Sequence, residues 1–145
     1  MGVFGKLFGN KQNEDNVKDS NYVETIIKSS KDEPLAVSNT NVMYAGYNEL
    51  GGYYYLQTYI MGAFKIKTKT GAKLHINGND YTFDLKSDMD EFESEGSPFF
   101  DGYVTQIDFE IEKESVEKIK RSTIKEITLT LKKKTIEFSV YNKEE

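Results

Sequence analysis

The chain is 145 residues long with a formal net charge of −5, a size that suits one domain with a real core. It has no cysteine and a single histidine, His75, which excludes disulfides, thiolate catalysis, cysteine zinc sites and multi-histidine metal centres. Its positive charge is almost all lysine, and Arg121 is the lone arginine, so forked recognition of phosphate or carboxylate has one residue to draw on.

Residues 1–20 read as a flexible tail and linker. Val3, Phe4, Leu7 and Phe8 would share one face of a helix, but Gly2, Gly5 and Gly9 weaken that helix. A peripheral anchor on a membrane surface or in a partner's groove is therefore the secondary reading of this segment. Gly2 raises N-myristoylation, yet Lys6 stands where Ser or Thr is expected. No apolar run reaches membrane-spanning length and no secretory signal core is visible, so a soluble cytoplasmic protein is expected. The globular part is expected at residues 21–142, with a polar stub at 143–145.

Between Asn21 and Ser29, the spacing of Val23, Ile26 and Ile27 fits one helical face with Ser20 as cap, although the β-branching equally allows a strand. Pro34 ends that element. Short strands are expected from Leu35 to Val37 and from Val42 to Tyr47, after which Asn48 to Gly52 turns the chain.

The organising stretch runs from Tyr53 to Leu85. Its first part predicts one long strand: Phe64, Ile66 and Thr68 point one way, and Lys65, Lys67 and Lys69 the other. Gly71 marks a reversal, and Leu74 and Ile76 resume the apolar face with Lys73, His75 and Asn77 opposite. Asn77-Gly78-Asn79-Asp80 is a hairpin signal, returning Tyr81, Phe83 and Leu85 inward. Upstream of Gly62 both faces are apolar: Tyr54, Leu56 and Ile60 on one, and Tyr53, Tyr55, Tyr59 and Met61 on the other. Either the strand is covered on both sides or closed into a barrel, or the second set is a tyrosine stripe that binds a partner.

Beyond Leu85 lies an acidic loop with Asp88, Asp90, Glu91, Glu93 and Glu95. Phe92 stands where an EF-hand would need an oxygen ligand, so a solvated loop that attracts a basic partner is preferred to a calcium site. Tyr103 to Glu112 alternates again, with Tyr103, Thr105, Ile107, Phe109 and Ile111 inward and Gln106, Asp108, Glu110 and Glu112 outward. Lys113 to Ser122 breaks the alternation and reads as a short helix, acidic at its start and basic at its end. A closing hairpin follows, with Ile127, Leu129 and Leu131 inward, a turn at Lys132-Lys133-Lys134, then Ile136, Phe138 and Val140 inward.

The fold class expected is mainly β, a single antiparallel sandwich or partly closed barrel with one or two short helices; an α+β roll is the alternative. Its core is expected to hold Leu56, Ile60, Phe64, Ile66, Leu74, Ile76, Tyr81, Phe83, Leu85, Ile107, Phe109, Ile111, Ile127, Leu129, Leu131, Ile136, Phe138 and Val140. His75 faces away from that core with Asp84 across the hairpin, a pair that can support acid–base chemistry, but no nucleophile elbow, P-loop or dinucleotide fingerprint accompanies it. The lysines from Lys118 to Lys134 are diluted by Glu114, Glu117, Glu126 and Glu137, which disfavours nucleic acid. The expectation is a non-catalytic binding or accessory protein without metal or cofactor. It would meet a protein partner or a second copy through Tyr53, Tyr55, Tyr59 and Met61 or through the acidic loop. An enzyme using His75 with nearby carboxylates, or a domain tethered by its N-terminus, stands as the alternative.

Overall fold

A computed structural model describes residues 21–142. The chain runs α1 (Tyr22–Lys28), β1 (Ala36–Val37), β2 (Asn41–Leu50), β3 (Tyr53–Gly62), β4 (Lys67–Thr68), β5 (Lys73–Gly78), β6 (Thr82–Lys86), β7 (Phe92–Glu93), β8 (Glu95–Gly96) and β9 (Tyr103–Ile111). It continues through α2 (Lys113–Lys118), a 3-10 turn (Arg121–Thr123), β10 (Ile124–Leu131) and β11 (Lys134–Val140). Nine strands form one sheet in the order β6-β5-β10-β11-β1-β2-β3-β9-β8, and β4 pairs with β7 separately. Every strand pairing among the described residues is antiparallel, and the large sheet curls into a partly closed barrel.

The hairpins explain the local path. Gly51 and Gly52 hold φ of 60° and 89°, the left-handed pair that a tight two-residue turn requires, and β2 then runs against β3 without a register shift. Lys132 takes φ 26° in the other two-residue turn, because Leu131 already pairs with Lys134. The turn is therefore shorter than the three lysines expected, and Lys134 belongs to β11.

Alternation places the core. All the residues assigned to it from the sequence lie in one apolar cluster, with Ile66, Tyr81, Phe83 and Val140 half-buried at its margin and the others buried. Ala36, Met43, Ala72, Ile119 and Ile124 join them. A second cluster forms outside the sheet, where α1 sets Ile26 on Val42 and Tyr44, with Tyr59 and Met61 packed at its edge. The segment Asn21 to Ser29 is thus helical. Ser20, its expected cap, lies outside the described residues, as do Val3, Phe4, Leu7 and Phe8. Among the described residues no helix is long and apolar enough to cross a membrane.

The long strand expected from Tyr53 to Lys69 is interrupted at Gly62. There φ is 154°, and a Cβ would collide with the carbonyl oxygen of Thr40. The buried Asn41 side chain takes over the ladder's role, its Oδ1 accepting the Phe64 N–H at 2.9 Å. The expected helix from Lys113 to Ser122 stops at Lys118, since Ile119 turns extended and drops into the core.

The barrel's seam lies between β6 and β9. Ser87 bridges Phe109, and the Asp88 N–H donates to the Asp108 carbonyl at 2.8 Å. Ser87 itself is buried, its Oγ accepting the Ala72 N–H at 3.0 Å and donating to the Met89 carbonyl at 2.8 Å. From this closure toward Thr82 and Ile111 no further cross-strand pair joins β6 to β9 among the described residues.

Candidate functional site

The outward face of β3 and β9 gathers most of the residues singled out in the sequence. Register sets Tyr55 opposite Glu110, Gln57 opposite Asp108, Tyr59 opposite Gln106 and Met61 opposite Val104. On the other flank Asn48 faces Tyr55, Gly46 faces Gln57 and Tyr44 faces Tyr59. Because strand side chains alternate, these residues share one surface.

That surface has two halves. Over Tyr59 and Met61 sits α1, so these two side chains are half-buried packing for Ile26, Val42 and Tyr44. Beyond Gln57 the sheet is uncovered: Tyr55 is half-exposed, and at the hairpin tip Leu50 and Tyr53 face each other at 69% and 71% exposure. The tyrosine stripe is therefore divided: Tyr53 is open, while Tyr55, Tyr59 and Met61 are all half-buried, and of these Tyr59 and Met61 pack against the α1 cluster.

Carboxylates surround the open half. A cleft of about 660 Å³ lies in the wedge where β6 and β9 diverge, lined by Tyr53, Tyr54, Tyr55, Phe83, Asp84, Leu85, Lys86, Glu110, Ile111, Glu112 and Ser115. A second of about 500 Å³ runs under the acidic loop, lined by Tyr59, Met89, Glu91, Phe92, Glu93, Glu95, Val104, Gln106, Ile107 and Asp108. The loop and the stripe, separate in sequence, thus meet along one sheet. Among the described residues Lys86 is the only cation lining either cleft, against seven carboxylates, so the sign of the surface is negative. Burial pushes the Tyr55 phenol above its ordinary pKa, and the charges of Asp88, Glu110 and Asp108 push it further, with Tyr53 contributing. Among the described residues, Asp88, Asp108 and Glu110 form no ion pair.

The loop's members have different tasks. Asp88 and Asp90 use their main chains to close the structure, the Asp90 carbonyl accepting the Gly71 N–H at 2.7 Å. Glu93 sits opposite Lys67 in the small sheet, and Glu95 opposite Val104 on β9. No group of three or more His, Asp or Glu side chains is placed to hold a metal ion among the described residues. Asp108 and Glu110 were legible only as outward residues of their strand; that they border Tyr55 follows from the pairing of β9 with β3, which no local pattern encodes.

His75 lies elsewhere, on the outer face of β5. Its Nδ1 is 2.7 Å from Asp84 Oδ1 across the hairpin, with the two side chains 41% and 71% exposed. Thr128 faces it from β10. The basic stretch does not converge. Arg121 turns inward to main-chain carbonyls, and Lys134 donates to the Lys65 carbonyl at 3.3 Å while lying over the Phe64 ring. Comparison with protein-family models, with curated proteins and with solved structures returns no match for this chain.

Proposed function

We propose that this chain is a non-catalytic binding protein that holds a basic, extended stretch of another polypeptide against the open half of the β3–β9 face. The observation that carries this reading is the meeting of aromatic surface with carboxylates that form no ion pair among the described residues: Tyr55 borders Asp88, Asp108 and Glu110, and Tyr53 lines the same cleft as Glu110. Tyrosine offers apolar area and a polar tip at small entropic cost, which suits contact with lysine stems. The carboxylates speed encounter with a cation and set which partner is admitted, more than they raise affinity. The acidic loop extends the same field over Tyr59.

The test is a heteronuclear NMR titration with a lysine-rich peptide of alternating apolar residues. Shifts should concentrate on Tyr55, Gln57, Asp108 and Glu110, weaken in Tyr55→Ala and fade as salt rises, since exposed charges are screened beyond about 10 Å at 0.1 M ionic strength. Shifts elsewhere, or binding indifferent to a folded Tyr55→Ala variant, would remove the proposal. Acid–base chemistry at His75 has the short contact with Asp84 in its favour. Both groups are open to water on a sheet surface, however, where such a contact is an ordinary cross-strand pair.

A further inference from the structure

The outer half of β2 carries an open main-chain edge. The Leu35 N–H donates to the Met43 carbonyl at 2.8 Å, so Met43 turns its main-chain groups toward β1. Strand geometry then turns those of Ala45, Tyr47 and Glu49 to the same side. β1 meets β2 only at Val42 and Met43, and no strand of the described residues pairs with this side of β2 beyond them. Burial changes at the same point: Asn41 to Tyr44 are buried, and every residue from Ala45 to Leu50 is exposed.

Free edges are commonly blunted by lysine, proline, a bulge or an inward charge, because an uncovered ladder invites another strand. Here no lysine or proline is present and the register with β3 is unbroken; the one charge is Glu49, which faces the core side opposite Tyr54 but stands at the exposed hairpin end and not at the middle of the edge. We propose that this edge pairs with the same edge of a second copy, antiparallel about a two-fold axis at Tyr47. In that register Tyr47 exchanges main-chain hydrogen bonds with its counterpart, and Ala45 does so with Glu49 of the other copy. Like charges are kept apart, since Glu49 meets Ala45. Gly46 falls opposite Asn48, and a Cβ at Gly46 would have nothing within 4 Å of it in its own chain, so the space for Asn48 is open. The pairing is self-complementary, as a two-fold interface must be.

Sedimentation velocity on the full chain over a wide concentration series, with amide exchange read in parallel, tests this. A dimer should accumulate with concentration, and the amides of Ala45, Tyr47 and Glu49 should gain protection in step. Ala45→Pro puts the ring on an edge position that sheets tolerate and should abolish the dimer. Should that variant fail to fold, charge decides: Ala45→Lys faces Glu49 and should tighten association several-fold, whereas Ala45→Lys combined with Glu49→Lys should loosen it several-fold. A monomer at every concentration overturns the proposal. So do a dimer that survives a folded Ala45→Pro, one that ignores the charge changes, and one in which the three amides exchange freely. Protection of those amides by a lysine-rich peptide, with no self-association, would assign the edge to a foreign strand instead and equally overturn it.

Discussion

Replacing Arg121 should destabilise this fold more than its half-exposed position suggests. Its Nη1 donates to the Pro34 carbonyl at 2.7 Å and the Tyr141 carbonyl at 2.9 Å, with Leu35 at a longer 3.4 Å, while Nη2 stands 3.7 Å from Glu33. One guanidinium thus ties the segment before β1, the end of β11 and the 3-10 turn. The Leu35 carbonyl already accepts the Tyr141 N–H at 2.9 Å, so Arg121→Ala orphans two acceptors, those of Pro34 and Tyr141. Hydrogen bonds to a charged donor contribute about 1.5–3 kcal/mol each. Water reaches a side chain that is 35% exposed and replaces part of that, and the long ion pair adds little. The loss expected is roughly 2–3 kcal/mol for alanine and about half that for lysine, whose compact ammonium reaches one carbonyl in place of the fork. Urea unfolding should show a lower midpoint with unchanged slope, and in hydrogen exchange Leu35 and Tyr141 should lose protection first. A change within about 0.5 kcal/mol for alanine, the range of ordinary surface substitutions, or equal losses for alanine and lysine, would refute the reasoning.

Other outcomes follow from the geometry. Gly62→Ala should cost about 2–4 kcal/mol, since the new methyl meets the Thr40 main chain, and a thermal melt within a degree or so of the native would contradict the close crossing. Tyr59→Ala should destabilise by about 1–3 kcal/mol through the α1 cluster, whereas Tyr55→Ala should change stability by under about 1 kcal/mol; denaturation that reverses this order would undo the division of the stripe. Burial lifts the Tyr47 phenol from 10.0 to about 12, the neighbouring Tyr81 adding to it, and the neutral phenol donates to the Ile119 carbonyl at 3.1 Å. Because the folded pKa is the higher, the stability it contributes is fully present below pH 10 and is lost as pH rises through 12. Alkaline unfolding of Tyr47→Phe should be flatter across that window, and curves that superimpose with the native would sink the assignment.

How much of this was readable in the sequence depends on what period-two alternation encodes. It tells which way a side chain points, and so Leu74, Ile76, Ile127, Leu129, Ile136 and Phe138 were legible as core. It says nothing of which strand lies beside which. That β10 sits between β5 and β11, or that Glu110 stands beside Tyr55, is set by long-range packing. The break at Gly62 was hidden because Phe64 still points inward after it, with Asn41 supplying a bond that a ladder would have made. The covering of Tyr59 and Met61 comes from α1, a segment whose Val23, Ile26 and Ile27 left helix and strand undecided. Local pattern could not choose between them, whereas an apolar patch on a neighbouring sheet could.

The seam gives the molecule a direction in which to breathe. β6 is fastened to β5 along its length, but among the described residues its junction with β9 lies only at its end, where Ser87 bridges Phe109 and the Asp88 N–H meets the Asp108 carbonyl, so the β5–β6 hairpin is a leaf held at one corner. Loosening that corner would widen the wedge beside Tyr55, with β10 held by pairing on both flanks. The Ser87 hydroxyl, which holds the Ala72 N–H and the Met89 carbonyl, fixes the main chain at this corner directly beside Lys86 of the cleft lining, so a substitution there would act on the opening from its closed end.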